Sequence, residues 1–270
     1  MLRDVPAIFR VPKQSVLSLP TDAPAHPVAP RDAATVLLLR DTDAGVEVFL
    51  QRRVAAMAFA AGMTVFPGGG VDQRDADASV SWEGPPPQEW ADRFGCSEPV
   101  ARALVCAAVR ETFEESGVLL AGSGTELVTD TSPYDGARAE LVSRELSLAG
   151  FLAREGLTLR ADLLRPWANW LTPEQEPRRY DARFFLAALP EGQQADGRTT
   201  EAESSDWQLP ADAIADAEAG RSMLMPPTWF LLDELNAYPS VAEALAVRKP
   251  VEKVMPRMVV EGDEVRVEVP

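Results

Sequence analysis

The chain has 270 residues, enough for one elaborated domain with a sizeable core or for two small ones. Hydrophobic residues make up 46% and charged residues 25%, an ordinary mixture for a globular protein, while the formal net charge is −16. A surface that acidic argues against general nucleic-acid binding and against adhesion to anionic membranes, so an anionic substrate would need local arginines or a metal ion.

Residues 1–30 hold six prolines and little periodicity, and read as an extended arm with one short edge strand near Ala7–Val11. Ala33–Arg40 is an apolar run suited to a buried strand. Asp41–Gly45 supplies turn residues and Val46–Arg53 resumes as a strand, which is a hairpin signal. Thr64–Phe66 is a third short strand running into the tight turn Pro67-Gly68-Gly69-Gly70. Asp72–Trp90, with Pro85-Pro86-Pro87 at its centre, reads as a loop. Glu98–Ser116 is the strongest helix, with Val100, Leu104, Val105, Ala108, Val109 and Phe113 as its buried stripe. Val118–Ala121 begins a strand. Asp135–Leu157 is helical, as one long helix or two broken ones.

Pro166–Thr172 leads to a strand at Ala182–Ala188, and Glu191–Thr200 is a polar loop. Ser205–Leu209 is a further strand, followed by helices at Pro210–Ala219 and Pro227–Ala237. Met258–Val269 alternates like a terminal hairpin. Strands and helices mix without regular βαβ alternation, which favours an α+β fold over a doubly wound sheet.

Cys96 and Cys106 are the only cysteines, too few for a disulfide framework and without metal-site spacing, so a reducing cytoplasm is the expected compartment. The one histidine, His26, sits in a Pro/Ala-rich segment, which argues against a histidine triad or histidine-ligated zinc. Met1–Pro30 has no continuous apolar stretch of the kind a signal peptide needs, and no segment reaches the ~20 apolar residues needed to span a bilayer.

The most informative residues are Arg110-Glu111-Thr112-Phe113-Glu114-Glu115-Ser116-Gly117-Val118. Glu111, Glu114 and Glu115 fall on one side of a helix that ends at Gly117. Anions are disfavoured at the negative end of the helix dipole and repel one another, so this turn calls for a compensating cation. Ligands that are all oxygen favour Mg²⁺ or Mn²⁺ over zinc. On the carboxylates alone, a solvated acidic helix end is an equal alternative.

With Phe66-Pro67-Gly68-Gly69 upstream, this stretch resembles the Nudix hydrolase family, whose signature has the form G-x5-E-x7-R-E-U-x-E-E-x-G-U. Arg110, Glu111, Glu114, Glu115, Gly117 and Val118 match its second half, and Thr112 stands where a bulky aliphatic is usual. Counted back from Arg110, the early Glu falls on Arg102 and the Gly on Cys96. Gly69 is the credible glycine, with about 27 extra residues between turn and helix. That insertion, Val71-Asp72 and Asp75 after it begins, and Trp170-Leu171-Thr172-Pro173, Arg178-Arg179-Tyr180-Asp181, Arg183-Phe184-Phe185, Glu201, Trp207 and Pro210 downstream all resemble the peroxisomal-type acyl-CoA diphosphatase branch.

The resemblance covers about Ala33 to Leu235. It implies an α/β/α sandwich around a mixed β-sheet, with helical and loop insertions. The domain would span 31–240, after the arm at 1–30 and before an extension at 241–270. Insertions at about 72–97 and 135–157 would set specificity, as a lid or as a homodimer contact. Glu111, Glu114 and Glu115 would be metal ligands, with a Gly69 carbonyl beside them. Arg110 would orient a carboxylate. Glu201, with Glu203 as its competitor, would be a further ligand or the general base. Arg52, Arg178 or Arg179 would touch substrate phosphate. Trp167, Trp170, Tyr180, Phe184 and Phe185 are expected in the core rather than stacked on a base.

The expected activity is Mg²⁺- or Mn²⁺-dependent hydrolysis of a nucleoside diphosphate linked to another moiety. CoA or acyl-CoA is favoured, giving 3′,5′-ADP and (acyl-)phosphopantetheine. The alternatives are ADP-ribose, NADH or a nucleotide sugar as substrate, or a Nudix-fold binding module without turnover.

Overall fold

The computed structural model describes residues 8–12, 24–56 and 60–269. In chain order the strands are β1 (Ile8–Pro12), β2 (Arg31–Thr42), β3 (Gly45–Arg53), β4 (Thr64–Val65), β5 (Gly68–Gly70), β6 (Trp82–Glu83), β7 (Ala121–Ser123), β8 (Glu126–Leu127), β9 (Thr158–Arg160), β10 (Leu164–Leu171), β11 (Tyr180–Ala188), β12 (Ala202–Gln208), β13 (Lys253–Val254), β14 (Arg257–Glu261) and β15 (Glu264–Glu268). The helices are α1 (Pro87–Phe94), α2 (Glu98–Ser116), α3 (Asp135–Val142), α4 (Leu148–Glu155), α5 (Pro210–Glu218), α6 (Pro226–Leu235) and α7 (Val241–Ala246).

The central sheet runs β12-β3-β2-β11-β10-β13, with β4 on β3 and β5 on β2. It is mixed. β2 and β11 are parallel, whereas β2–β3, β3–β12 and β10–β11 are antiparallel. The β2–β3 hairpin closes on Thr42 paired with Gly45, and the Thr42 hydroxyl donates to the Gly45 carbonyl at 2.9 Å. The middle of β2, Val36–Leu39, is an unbroken apolar run because both its faces are covered. Ala34, Val36 and Leu38 enter the core beneath α2, while Leu37 and Leu39 enter the core beneath α5 and α6. β11 repeats the alternation with Phe185 and Ala187 on the first side and Phe184 and Leu186 on the second. The result is the expected α/β/α sandwich.

β2 pairs with β3 only over Leu39–Thr42, and its first half takes β5 instead, with Ala34 opposite Gly69 and Thr35 opposite Gly68. The two strands of the hairpin therefore part, and the glycine turn fills the wedge. A Cβ on Gly68 would stand 2.5 Å from the Ala34 carbonyl oxygen, so only glycine lets the turn approach the sheet this closely.

Several boundaries differ from the sequence reading. Pro85-Pro86-Pro87 does not continue a loop up to Trp90. Pro87 opens α1, where the missing N–H costs nothing. Trp90 and Phe94 of α1 pack on Phe185 with ring centroids 5.7 and 5.2 Å away. The insertion at 72–97 is thus built into the core at its far end. The region 135–157 is two helices, α3 and α4, with Phe151 of α4 stacked on Phe113 at 5.5 Å. Val118–Leu120 are buried linker, and the strand that follows, β7, belongs to a small sheet ordered β6-β9-β7-β8. The Pro166–Thr172 segment is itself a strand, β10. Helix α7 had no counterpart in the sequence reading.

The terminal hairpin forms as β14 and β15. β1 of the N-terminal arm pairs with β15 into a three-stranded sheet, and Val265 and Val267 are fully buried in the second core. Ala7, included in the expected edge strand, lies outside the described residues.

Candidate active site

Helix α2 carries the acidic turn. It begins after Ser97 with Pro99 in its first turn and ends at Gly117, whose φ of +73° turns the chain while its N–H donates to Phe113 at 3.0 Å. The helix is buried nearly all round rather than along one stripe, and Glu115 is only 4% exposed. Thr112, placed where an aliphatic is usual, is tolerated inside because its hydroxyl donates to the Ala108 carbonyl at 2.7 Å. Two side chains satisfy the carbonyls at the negative end of α2. Arg138 Nε donates to the Glu114 carbonyl at 3.0 Å, and Gln51 Nε2 to the Glu115 carbonyl at 3.0 Å.

The glycine turn lies against this acidic face. The Gly68 N–H donates to Glu115 Oε2 at 2.9 Å. A Cβ on Gly69 would stand 2.6 Å from Glu111 Oε1, so the Glu111 carboxylate occupies the room that the glycine leaves. Arg110 sits between the acids. Its Nη1 lies 2.8 Å from Glu111 and 3.3 Å from Glu114, and its Nη2 donates to the Gly70 carbonyl at 3.1 Å.

On the other side of Arg110, Nε and Nη2 donate to the two oxygens of Asp75 at 2.9 Å each. Asp75 is 2% exposed and also accepts from the Asp72 N–H at 2.8 Å, closing a reciprocal cap on the short 3₁₀ turn Gln73–Ala76. The sequence reading gave Asp75 no role, because it counted back from Arg110. Counted forward, Asp75 is six positions after Gly69, where the signature has its first Glu. The insertion therefore separates Asp75 from Arg110, not Gly69 from Asp75, and folding brings the two back together.

Burial dominates the electrostatics. It raises the Glu111 carboxyl to about 7 against the pull of Arg110, and raises Glu114 for the same reason. Glu115 is pushed well above the ordinary carboxylate range by burial and by Glu111, with the Gly68 N–H opposing. Burial also works against the Arg110 charge, but Asp75, Glu111 and Glu114 outweigh it and hold the guanidinium above its ordinary value.

These groups open into a cavity of about 680 Å³. Gly69, Arg110, Glu111, Glu114, Glu115 and Glu201 all line it, so six of the residues singled out in the sequence come together. Its apolar wall includes Phe66, Trp170, Phe184, Met225, Pro226 and Met258. Arg52, Arg178 and Arg179 are not among the lining residues. Arg52 lies on the other side of β3 from its neighbour and faces Glu203 at 3.9 Å. Arg178 is exposed. Arg179 is buried and clamps the backbone, donating to the carbonyls of Thr172 at 3.0 Å and Val28 at 2.9 Å. Arg53 is the β3 residue that lines the cavity, with Nη2 at 3.2 Å from Glu201. Trp167, Trp170, Phe184 and Phe185 are buried in the cores as expected, and Tyr180 is part-buried on the cavity wall.

Three buried or part-buried carboxylates, all oxygen donors and under-compensated by a single arginine, fit a hard divalent cation. Among the described residues no three acidic side chains already converge as a finished ligand cage. Arg110 is the counter-ion of Glu111 and Glu114 in this structure.

A mixed sheet between two helical layers, with a glycine turn docked on an acidic helix end, is the Nudix fold. The family model of the NUDT19 Nudix domain matches residues 87–235, more than half of the chain, and the chain belongs to that family. It is similar to acyl-coenzyme A diphosphatase NUDT19 of Xenopus laevis, at 26% identity over 235 residues covering 73% of this chain and 61% of the relative. The human protein of the same name is 27% identical over 244 residues, covering 74% of this chain and 63% of the relative. The chain thus spans about three fifths of the length of these curated relatives. Among solved structures, the NUDIX hydrolase from Alicyclobacillus acidocaldarius superposes with a TM-score of 0.69 at 27% identity, over 83% of this chain and 99% of that one. No helix among the described residues is long and apolar enough to cross a membrane.

Proposed function

We propose that this chain is a divalent-metal-dependent, cytoplasmic pyrophosphohydrolase that cleaves CoA or acyl-CoA to 3′,5′-ADP and (acyl-)phosphopantetheine. The observation that carries the reading is the buried turn of Glu111, Glu114 and Glu115 beneath Gly68 and Gly69, at the floor of a cavity large enough for a nucleotide. The diphosphatase names of the curated relatives support the choice of CoA.

Glu111, Glu114, Glu115 and the Gly69 carbonyl would hold Mg²⁺ or Mn²⁺. A cation bound there supplies charge neutralisation for the diphosphate and acidifies a coordinated water. The protein's own groups do the rest. Asp75 fixes Arg110, and Arg110 fixes the rotamers of Glu111 and Glu114. The Gly68 N–H holds one oxygen of Glu115, whose side chain lines the cavity. Glu201, on the cavity wall, takes the proton as the water oxygen bonds to phosphorus and the P–O bond of the anhydride breaks. Glu203 is the weaker choice for that role, because its side chain is 67% exposed and outside the cavity lining.

The test is Mg²⁺- or Mn²⁺-dependent hydrolysis of CoA, acetyl-CoA, a long-chain acyl-CoA, ADP-ribose, NADH and UDP-glucose, with Glu115→Gln alongside. Release of 3′,5′-ADP from the CoA compounds by the wild type alone supports chemistry and substrate together. Selective turnover of another diphosphate keeps the chemistry and replaces the substrate. No turnover of any of them leaves a binding module.

A further inference from the structure

Helix α3 ends in an unusual way. Arg144 adopts a left-handed backbone conformation with φ of +63°, its N–H donates to the Leu141 carbonyl at 2.9 Å, and the Leu146 N–H closes on Glu140 at 3.1 Å. Helices α1, α2 and α4 place Gly95, Gly117 and Gly156 at their left-handed turns. A residue with a Cβ is disfavoured there, so the arginine is retained at a conformational cost.

The turn is also held from outside. Arg74 Nη1 donates to the Arg144 carbonyl at 3.0 Å and to the Leu146 carbonyl at 3.4 Å, while its own charge is taken by Asp72 at 3.1 Å. Arg74 lies inside the Asp72–Asp75 cap that carries Arg110, so the α3–α4 turn is tied to the acidic floor through one short segment.

Five arginines among the described residues line the large cavity: Arg31, Arg53, Arg74, Arg110 and Arg144. Arg110 is committed to Asp75, Glu111 and Glu114, Arg74 to Asp72, and Arg53 to Glu201. Arg31 and Arg144 form no ion pair with any described residue. Arg31 opens an ordinary strand at no conformational cost, whereas the backbone of Arg144 is fixed on the rim by the contacts above and its side chain is exposed.

We propose that Arg144 binds a phosphomonoester of the substrate, a phosphate distinct from the two in the scissile anhydride. This rests on the diphosphate-hydrolase reading and deepens it. CoA carries such a group at the ribose 3′ position and NADPH carries one at 2′, whereas 3′-dephospho-CoA, NADH, ADP-ribose and UDP-glucose carry none. The subsite therefore selects among diphosphates by their third phosphate.

The experiment compares kcat/KM for CoA against 3′-dephospho-CoA and for NADPH against NADH, in wild type, Arg144→Ala, Arg144→Lys and Arg31→Ala. The expected result is that Arg144→Ala loses about tenfold or more of the preference for the phosphorylated member of a pair, through KM, as fits one charge-assisted contact. Arg144→Lys recovers part of it, and the pair affected says whether the 3′ or the 2′ phosphate is read. Equal losses on both members of each pair, or loss of the preference in Arg31→Ala instead, would overturn the assignment. If the wild type turns over none of the four, nor acetyl-CoA, a long-chain acyl-CoA, ADP-ribose or UDP-glucose, the hydrolase reading fails. Calorimetric binding of 3′,5′-ADP and 2′,5′-ADP against 5′-AMP then decides the subsite, and a preference unchanged in Arg144→Ala sinks it.

Discussion

Asp75 meets Arg110 through two hydrogen bonds of 2.9 Å, although 35 positions separate them in the chain. Both are buried, and Arg110 in turn holds two of the three carboxylates on α2. Removing Asp75 leaves the buried Arg110 Nε donor without its partner, at a typical cost of about 1–3 kcal/mol, while Glu111 and Glu114 still offset the charge. Asp75→Ala should lose stability on that scale in urea unfolding. Metal affinity in that variant should fall by about 10–100-fold, as for other groups that orient ligands from behind. Wild-type stability in Asp75→Ala would show that the pair is ornamental.

The two glycines of the turn should separate structure from chemistry. A Cβ on Gly68 meets backbone, the Ala34 carbonyl at 2.5 Å and the Thr35 Cα at 2.7 Å. A Cβ on Gly69 meets only the end of the Glu111 side chain. Gly68→Ala is expected to lower the melting temperature clearly, because strands β2 and β5 must move apart. Gly69→Ala is expected to keep its melting temperature and lose turnover, because the carboxylate swings away. The reverse ranking in paired thermal melts and assays would contradict this geometry.

Glu111 gives the metal-free protein a pH dependence with a definite sign. Its carboxyl is raised from 4.5 to about 7, chiefly by burial, so the folded state holds a proton that the unfolded state has released. The associated stability is full below pH 4.5 and is lost as pH rises through about 7. Thermal melts in EDTA should therefore show stability falling from pH 5 to pH 8. Added Mg²⁺ should raise the melting temperature more at pH 8 than at pH 5.5, since the carboxylate must be ionised to bind it. An equal Mg²⁺ increment at both values would exclude Glu111 as a ligand.

Glu115→Gln tests the same burial from another side. The wild-type side chain is a carboxyl pushed well above its ordinary range, and the amide retains the hydrogen-bonding shape without the charge. At pH 8 in EDTA the variant should melt higher than wild type while failing to hydrolyse any diphosphate, the exchange of stability against activity expected of a strained site. A variant that melts lower at pH 8 would mean that the charge stabilises the fold without metal.

Much of this was legible in the chain. The span of α2 was marked by its periodic apolar residues and by Gly117 at its end, and the β2–β3 hairpin by apolar runs on either side of Asp41–Gly45. The three glutamates were placed together by helical spacing alone. Arg53 was passed over for Arg52 because successive strand residues face opposite ways, and only the position of β12 and the cavity says which way matters. Arg179 looked like a phosphate ligand because a sequence does not show which arginines are already spent on carbonyls. Helix α1 was missed because three prolines read as loop, although the last of them is compatible with a first helical turn. Arg144 had no local signal at all, since its left-handed turn and its place on the cavity rim both come from tertiary packing.

The ion pair between Asp75 and Arg110 also fixes where this domain can change. The chain leaves the acidic floor at Asp75 and returns to it along α2, so the stretch before α1 is a detour between two fixed ends. Closing a longer detour costs little, about 0.6 kcal/mol for each doubling of length. The α1 end of that detour is anchored in the core by Trp90 and Phe94, and its middle by buried Val80 and by β6, but residues 77–79 are exposed and outside the cavity lining. Residues can be inserted there without moving the carboxylates, which the Asp75–Arg110 pair and α2 hold in place. Divergence at the periphery is in this way insulated from the chemistry at the centre.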